Sequence, residues 1–466
     1  MLKLLHSPHL LTVHVLVVVA GLLTYVLTTH SLQQRRAPTA ALSWALSIAL
    51  IPYIGLPLYL LFGTRKLLHA ANRGGELPAA VGEGTGAWLN LLTASLGQPP
   101  AASYRDLRLH AEGHHALQAL WDLVDGAQHE LLICTFLVGR DAVGKALMAR
   151  LMDKARRGVR VRLLIDGSGR LMGGAVSLRR LRAAGVEVAV FGPILHVPFR
   201  SRVNLRNHRK MVVADGDRLW CGGRNFAVEY FDGSSRYGRW QDLTFDVAGP
   251  VARQARALFE RDWAFSARGA RARVALPAPP VTPSPAAGAP RAQVIAAGPD
   301  ESDDTVHDLL VSACFKAQRH VSAVTPYFVP GGELLMALSL AARRGVVVDL
   351  VLPARSNHRM ADFVRHRAIR DLASAGGRIW LSPRMLHAKA VVIDDSLALC
   401  GSANLDARSM FLNYEMMVAF YASTDIGRFA AFVEKQRAAS ARYEASKPGL
   451  LRDLGEGLLL WLAFQL

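Results

Sequence analysis

The sequence predicts an α/β protein of two pseudo-symmetric halves, each a mixed sheet flanked by helices, behind an N-terminal hairpin of two transmembrane helices. Three observations carry that prediction. A motif occurs twice, as His208-Arg209-Lys210 followed by Asp215 and as His387-Ala388-Lys389 followed by Asp394. A strand–helix–strand pattern precedes each copy. Two uncharged runs, residues 10–28 and 40–63, open the chain.

At ~1.5 Å rise per residue the first run reaches roughly 29 Å, about one hydrocarbon core. A polar loop with Arg35 and Arg36 follows it, and the second run contains Pro52, Gly55 and Pro57 before ending at Arg65-Lys66. No small-residue cleavage site closes the first run and a second apolar run follows at once, which predicts an uncleaved hairpin over 1–66 rather than a signal peptide. Lys3, Arg65, Lys66 and Arg73 flank its ends, against two arginines in its loop. The positive-inside rule then places the body of the protein in the cytoplasm, as a multi-pass protein of the cell inner membrane. His14, inside the first run, is expected to be neutral and packed against the partner helix.

The 466 residues are 51% apolar and carry a formal charge of +18. A balance that basic suits an anionic partner, either nucleic acid or an anionic lipid surface. The cysteines Cys134, Cys221, Cys314 and Cys400 form no CxxC pair, which argues for buried, reduced thiols and against a zinc or redox site.

Residues 67–105 are rich in Gly and Ala and read as a connector. The first half, 106–268, opens with a helical pattern over 114–127. A strand over 130–136, a helix over 143–157, a turn at Gly158 and a strand over 159–165 follow. His110, His114 and His115 lack an acidic or Cys ligand at helical spacing and read as a solvated helix start rather than a metal site. Residues 269–292 are dense in Pro and Ala and predict an exposed linker. The second half, 293–448, repeats the order: a strand over 320–326, a helix over 333–344 and a strand over 346–352. Ala-Arg-Arg-Gly-Val stands at the helix–strand junction both times, at 155–159 and 342–346. Strand–helix–strand units predict parallel pairing in layers. An apolar tail, 449–466, is too short to cross a bilayer.

The motif itself points to phosphate chemistry. In extended chain, His-x-Lys puts both side chains on one face. The apolar runs behind each Lys suit buried strands. Imidazole is the side chain best able to act as nucleophile or proton carrier near neutral pH, and Lys is a point charge for phosphate oxygens. Each copy then reaches a glycine turn ending in Asn: Gly222-Gly223-Arg224-Asn225 and Gly401-Ser402-Ala403-Asn404. Such a turn lets backbone approach a ligand, and the Asn adds an amide. If the halves pair, two His and two Lys converge on a phosphodiester.

These residues resemble the phospholipase D superfamily and, within it, the bacterial-type cardiolipin synthases. The resemblance spans nearly the whole chain. It includes the two-span N-terminus with Pro52-Tyr53-Ile54-Gly55, the stretches Asn207-His208-Arg209-Lys210 and Leu386-His387-Ala388-Lys389, both glycine turns, and Thr325-Pro326-Tyr327-Phe328-Val329-Pro330. It implies two phospholipase D-like halves and transfer of a phosphatidyl group between two phosphatidylglycerol molecules, with release of glycerol. A phosphatidyl-histidine intermediate is implied, with no metal and no cofactor, because Lys210 and Lys389 neutralise the phosphate. His208 is the expected nucleophile and His387 the expected general acid, although the symmetry of the motifs leaves the assignment open. Asp215 and Asp394 belong to the catalytic motif or serve structure. Asp242 and Glu415, which follow the first and second turns, are expected to hold the histidine tautomers. Asn225, Asn404, Gly223 and Ser402 are expected around the substrate. The partner is anionic phospholipid and no nucleic acid is expected. A hydrolase, a transferase using another head group and a membrane-tethered nuclease are the competing readings.

Overall fold

The computed structural model describes residues 8–31, 38–63, 87–174, 177–192, 205–233, 238–268, 288–445, 448–449, 452 and 455–456. The linker up to residue 287 and the apolar tail from residue 457 lie outside them.

The repeat becomes two sheets of the same plan. Along the first sheet the strands run Arg105–His110, Thr244–Ala248, Arg218–Gly222, Met211–Ala214, Glu130–Thr135, Arg160–Asp166 and Glu187–Phe191. The second runs Arg291–Ala297, Glu415–Phe420, Leu397–Gly401, Ala390–Ile393, His320–Val324, Val347–Pro353 and Arg378–Ser382, with Ala102–Ser103 and Ala441–Arg442 added at its two edges. In each sheet the last three of these seven strands are parallel and the others pair antiparallel. Crossover helices explain the parallel part: Ala142–Arg156 joins one parallel pair and Gly332–Arg343 its counterpart. The predicted helices and strands of both halves are therefore present, and the architecture is mixed α/β with two sheets.

The motif strands are buried on both faces, as their unbroken apolar sequence demands. Met211 and Val213 face a core shared by the two halves, and so do Ala390 and Val392. Val212 and Ala214 face the outer core of the first half, and Val391 and Ile393 that of the second. Helices Pro250–Arg268 and Ser423–Ala438 supply Phe259 and Phe429 to the shared core. One continuous apolar core thus locks the halves together and fixes where their edges meet.

Two expectations change. Part of the connector is integral structure: Ala87–Ser95 is a helix whose Leu89 enters the outer core of the second half. Ala102–Ser103 pairs antiparallel with Arg291–Ala297. The second apolar run is also not one helix. Pro8–Ser31 is continuous, whereas the second run divides into Pro38–Leu50 and Pro52–Phe62 at Ile51, where Pro52 removes a backbone donor. The bend brings Gly55 against the Ser47 carbonyl, where a Cβ would lie only 2.4 Å from the oxygen. Among the described residues one helix is long and apolar enough to cross a membrane, over Thr12–Thr29. Val19, Leu23, Leu27, Leu46 and Ile54 are exposed on these helices. His14 stacks obliquely on Tyr53, with ring centroids 5.7 Å apart.

Candidate active site

Each His-x-Lys stands just ahead of its strand, not within it, because regular pairing begins at Met211 and Ala390. The two lead-in segments are clamped to the opposite half by matching backbone bonds. His208 N donates to Tyr414 O (2.9 Å) and Tyr414 N to Arg206 O (2.8 Å). His387 N donates to Gln241 O (2.6 Å) and Gln241 N to Met385 O (2.8 Å). The residue after Tyr414 is Glu415 and the residue after Gln241 is Asp242. The clamp therefore delivers each half's carboxylate to the other half's histidine.

That exchange organises the site. His387 Nδ1 lies 2.8 Å from Asp242 Oδ2. The imidazole packs edge-on against Tyr230 (5.0 Å) and beside Trp240 (5.6 Å). Lys389 Nζ sits 3.0 Å from both ring nitrogens, so Lys and His share one side of the chain. His208 Nδ1 lies 3.3 Å from Asn413 Nδ2 and 3.5 Å from Glu415 Oε1. Its ring leans on Phe136 at 4.3 Å. Lys210 Nζ donates to His208 O at 2.6 Å.

Burial and crowded positive charge set the protonation states. Burial, then Lys210, Arg408 and Lys389, pushes His208 well below its ordinary value. Burial and Lys389 bring His387 down to about 4 despite Asp242. Burial brings Lys389 down to about 7, with Lys210 adding to it, and lowers Lys210 as well. The carboxylates diverge. Burial opposes ionisation of Asp242, but His387, Lys389 and Arg224 hold it below the usual range. Burial pushes Glu415 up to about 7 against the pull of Lys210.

The glycine turns support these carboxylates in two ways. Ser402 Oγ donates to Glu415 Oε2 at 2.5 Å. At the matching position, a Cβ on Gly223 would lie 2.2 Å from Asp242 Oδ1, so the absent side chain makes room for that carboxylate. The Gly223/Ser402 mismatch is thus coupled to the Asp242/Glu415 mismatch. Asn225 Nδ2 donates to Tyr230 Oη (2.9 Å) and Asn404 Nδ2 to Ser409 Oγ (3.2 Å). Both amide oxygens are buried without a hydrogen-bond partner among the described residues.

Asp215 and Asp394 are not brought to the site. They stand at the far ends of the motif strands, with φ of 51° and 46°. Asp215 accepts from the backbone of Gln128, His129 and Glu130, and Asp394 from that of Gln318, Arg319 and His320. Of the two roles open to them, the geometry fits the structural one. All four cysteines are buried and free. His114 and His115 lie exposed in the first turn of Gly113–Gly126, and His110 lies 2.5 Å from Asp246.

The family described as "Cardiolipin synthase, PLD-like domain" matches residues 120–263 and 310–436, each containing one motif. The N-terminal family "Phospholipase D-nuclease N-terminal" matches residues 15–63. The chain belongs to the phospholipase D-like cardiolipin synthase family. "Cardiolipin synthase 1" of Bacillus cereus is 31% identical over 421 residues, covering 84% of this chain and 82% of that protein. "Cardiolipin synthase A" of Klebsiella pneumoniae is 32% identical over 423 residues, covering 84% of each. The phosphatidylserine synthase of Haemophilus influenzae shares the fold at 14% identity, with a TM-score of 0.59 over 80% of this chain and 98% of that one.

Within this family frame, the sequence reading missed several neighbours of the histidines: Phe136, Tyr230, Trp240, Asn413 and Arg408. Trp240 and Asn413 each stand two residues before a carboxylate already singled out, Asp242 and Glu415. Arg408 had a signal too. It stands four residues after Asn404, where the first copy has Glu229 four residues after Asn225.

Proposed function

We propose that this membrane-associated cardiolipin synthase moves a phosphatidyl group from one phosphatidylglycerol to another. The observation that supports the reading best is the convergence of two His–Lys pairs, each His set against the opposite half's carboxylate. With the ring proton on Nδ1, directed at Glu415 Oε1, the unprotonated Nε2 of His208 is left for attack on phosphorus. The P–O bond to glycerol breaks as His208 Nε2 bonds to phosphorus, giving a phosphatidyl-histidine. His387 hands its Nε2 proton to the departing glycerol oxygen. It then takes the proton of the second lipid's terminal hydroxyl, which attacks phosphorus and frees His208.

Without substrate, four cationic or potentially cationic side chains crowd together and His387 is neutral. A phosphodiester anion between Lys210 and Lys389 offsets that charge and raises His387 toward the acid it must be. Both lysines then stabilise the charge that builds on the non-bridging oxygens. The amide oxygens of Asn225 and Asn404 accept from hydroxyl groups of the lipid head. Asp215 and Asp394 act on the fold alone.

Pro8–Ser31 and the broken second run form a membrane hairpin, with both ends and the catalytic body on the cytoplasmic side. The charge bias of Lys3, Arg65, Lys66 and Arg73 over Arg35 and Arg36 supports that orientation. The test of the activity is direct. Purified full-length protein added to phosphatidylglycerol vesicles is expected to release one glycerol per cardiolipin. Phosphatidic acid as the main product would make it a hydrolase, and no turnover at all would sink the reading.

A further inference from the structure

After residue 63, exposed large apolar side chains are few among the described residues: Leu171 (57%), Met172 (72%), Met360 (40%), Phe315, Met336 and Leu340. Three of them share one edge. Leu171 and Met172 end the short helix Gly167–Met172, which leaves the carboxyl end of the strand Arg160–Asp166. Met360 opens the helix Arg359–Ser374, beyond the carboxyl end of the pseudo-symmetric strand Val347–Pro353.

This edge adjoins the candidate site. Asp166 Oδ1 caps the short helix through Ser168 N and Gly169 N, while its Oδ2 accepts from Asn207 N, next to His208 (2.9 Å). Gly169 is seated on the Phe136 carbonyl, where a Cβ would lie 1.8 Å from the oxygen, and the Phe136 ring leans on His208. On the other side Tyr327 Oη donates to Asn357 Oδ1 (2.6 Å), just ahead of Met360.

The apolar tips are flanked by cations. Arg179 and Arg180 are exposed after the first tip, with no Asp or Glu anywhere in 167–186. Arg355 and Arg359 are exposed around the second. Exposed apolar tips with adjacent arginines match a lipid–water boundary, where the tips enter the acyl region and the cations meet phosphates. We infer that these two segments form a lip that docks on an anionic phospholipid monolayer, opening the candidate site toward head groups in that leaflet. The membrane is the one entered by the apolar N-terminal helices. The inference rests on the reading that the substrate is a membrane lipid.

The test uses the full chain in liposomes of phosphatidylglycerol with brominated acyl chains. Single cysteines are placed by Met172→Cys, Met360→Cys, Phe315→Cys and Asp395→Cys and labelled with a bromine-quenched fluorophore, the native thiols being buried. Labels at 172 and 360 are expected to be quenched several-fold more than those at 315 and 395. Equal quenching at all four, stronger quenching at 315, or none at 172 would overturn the docking surface. So would a concentration-dependent emission shift at 172 without lipid, which would mark a second copy as the occupant. This readout needs no turnover, so it fails separately from the synthase reading. In the kinetic arm, Leu171→Ser with Met172→Ser should raise the vesicle concentration for half-maximal rate about fivefold. The rate on monomeric short-chain phosphatidylglycerol should not change, and equal losses on both substrates would also overturn the proposal.

Discussion

His387 lies 2.8 Å from Asp242, walled by Tyr230 and Trp240, with 9% of its side chain exposed; His208, its counterpart, lies 3.5 Å from Glu415 and keeps 25% exposed. The backbone around them is the same, down to paired clamps through Gln241 and Tyr414. The carboxylates are not. Asp242 is held ionised, whereas Glu415 is raised to about 7. An ionised partner supports an imidazolium, so the His387 side suits proton transfer. The more open, neutral His208 suits attack on an incoming phosphorus. The two halves share one frame, and the proposed division of labour between them rests on side-chain differences at a few positions.

The largest expected effect tests that division directly. His208→Ala and His387→Ala should each lower turnover of phosphatidylglycerol by at least ~10³. A p-nitrophenyl phosphatidyl ester separates them, because its leaving group needs no proton. With that substrate His387→Ala should still release a burst of p-nitrophenolate and carry the phosphatidyl adduct on His208, found by mass mapping. His208→Ala should give neither. The opposite pattern would exchange the two roles, and loss of the burst in both variants would break the comparison.

The carboxylates come next. Asp242→Asn should cost about 10² in kcat, because it removes the charge that supports His387 as an acid. Glu415→Gln should cost less than about tenfold, since Glu415 is half-protonated near neutral pH and stands farther from its histidine. Equal losses would mean that the two histidines depend on their carboxylates alike.

The fold was legible because it is written twice. The strand order follows from matched elements in each half, and the motif strands announced their double-sided burial through unbroken apolar runs. The convergence of His208, Lys210, His387 and Lys389 on one candidate site was also legible. The pairing was not. Asp242 and Glu415 were visible as candidates, but spacing within a half says nothing about contacts across the interface. Which carboxylate meets which histidine is set by the shared core that docks one sheet on the other. Asp215 and Asp394 show the converse. They recur with the motif as faithfully as the lysines do, yet an invariant spacing along a strand places them at its opposite end.

A smaller effect is expected from pH. Burial brings Lys389 of the free enzyme down to about 7, and a phosphodiester anion is expected to bind the charged form. The lowered value means the positive charge is complete only below about 7 and is lost as pH rises through it. KM should therefore be flat below pH ~7 and climb by up to about tenfold per unit above it, while binding of the anion holds the proton on. Lys389→Arg stays charged over this range and should flatten the climb even where turnover falls. A KM that rises equally in the variant would remove Lys389 as the cause.

The smallest effect should be the one that is the same in both halves. Each of Asp215 and Asp394 accepts three backbone N–H groups at the start of the neighbouring strand. These bonds hold both carboxyls below the ordinary range against partial burial. Asp215→Ala and Asp394→Ala should each lose about 1–2 kcal/mol of stability, as for loss of a capping side chain. Asn should lose less, because it keeps an acceptor and tolerates positive φ. Because the folded values are depressed, the stabilisation is complete above the unfolded carboxylate value, roughly 3.9, and disappears as pH falls through the folded one. In thermal melts the gap between wild type and both Ala variants should therefore be widest near pH 7 and narrow as pH falls below about 4. Turnover at 25 °C should stay near wild type in all of them. A tenfold fall in kcat at either position, with the melt unchanged, would place that aspartate in the chemistry and undo the distinction between a symmetric frame and an asymmetric site.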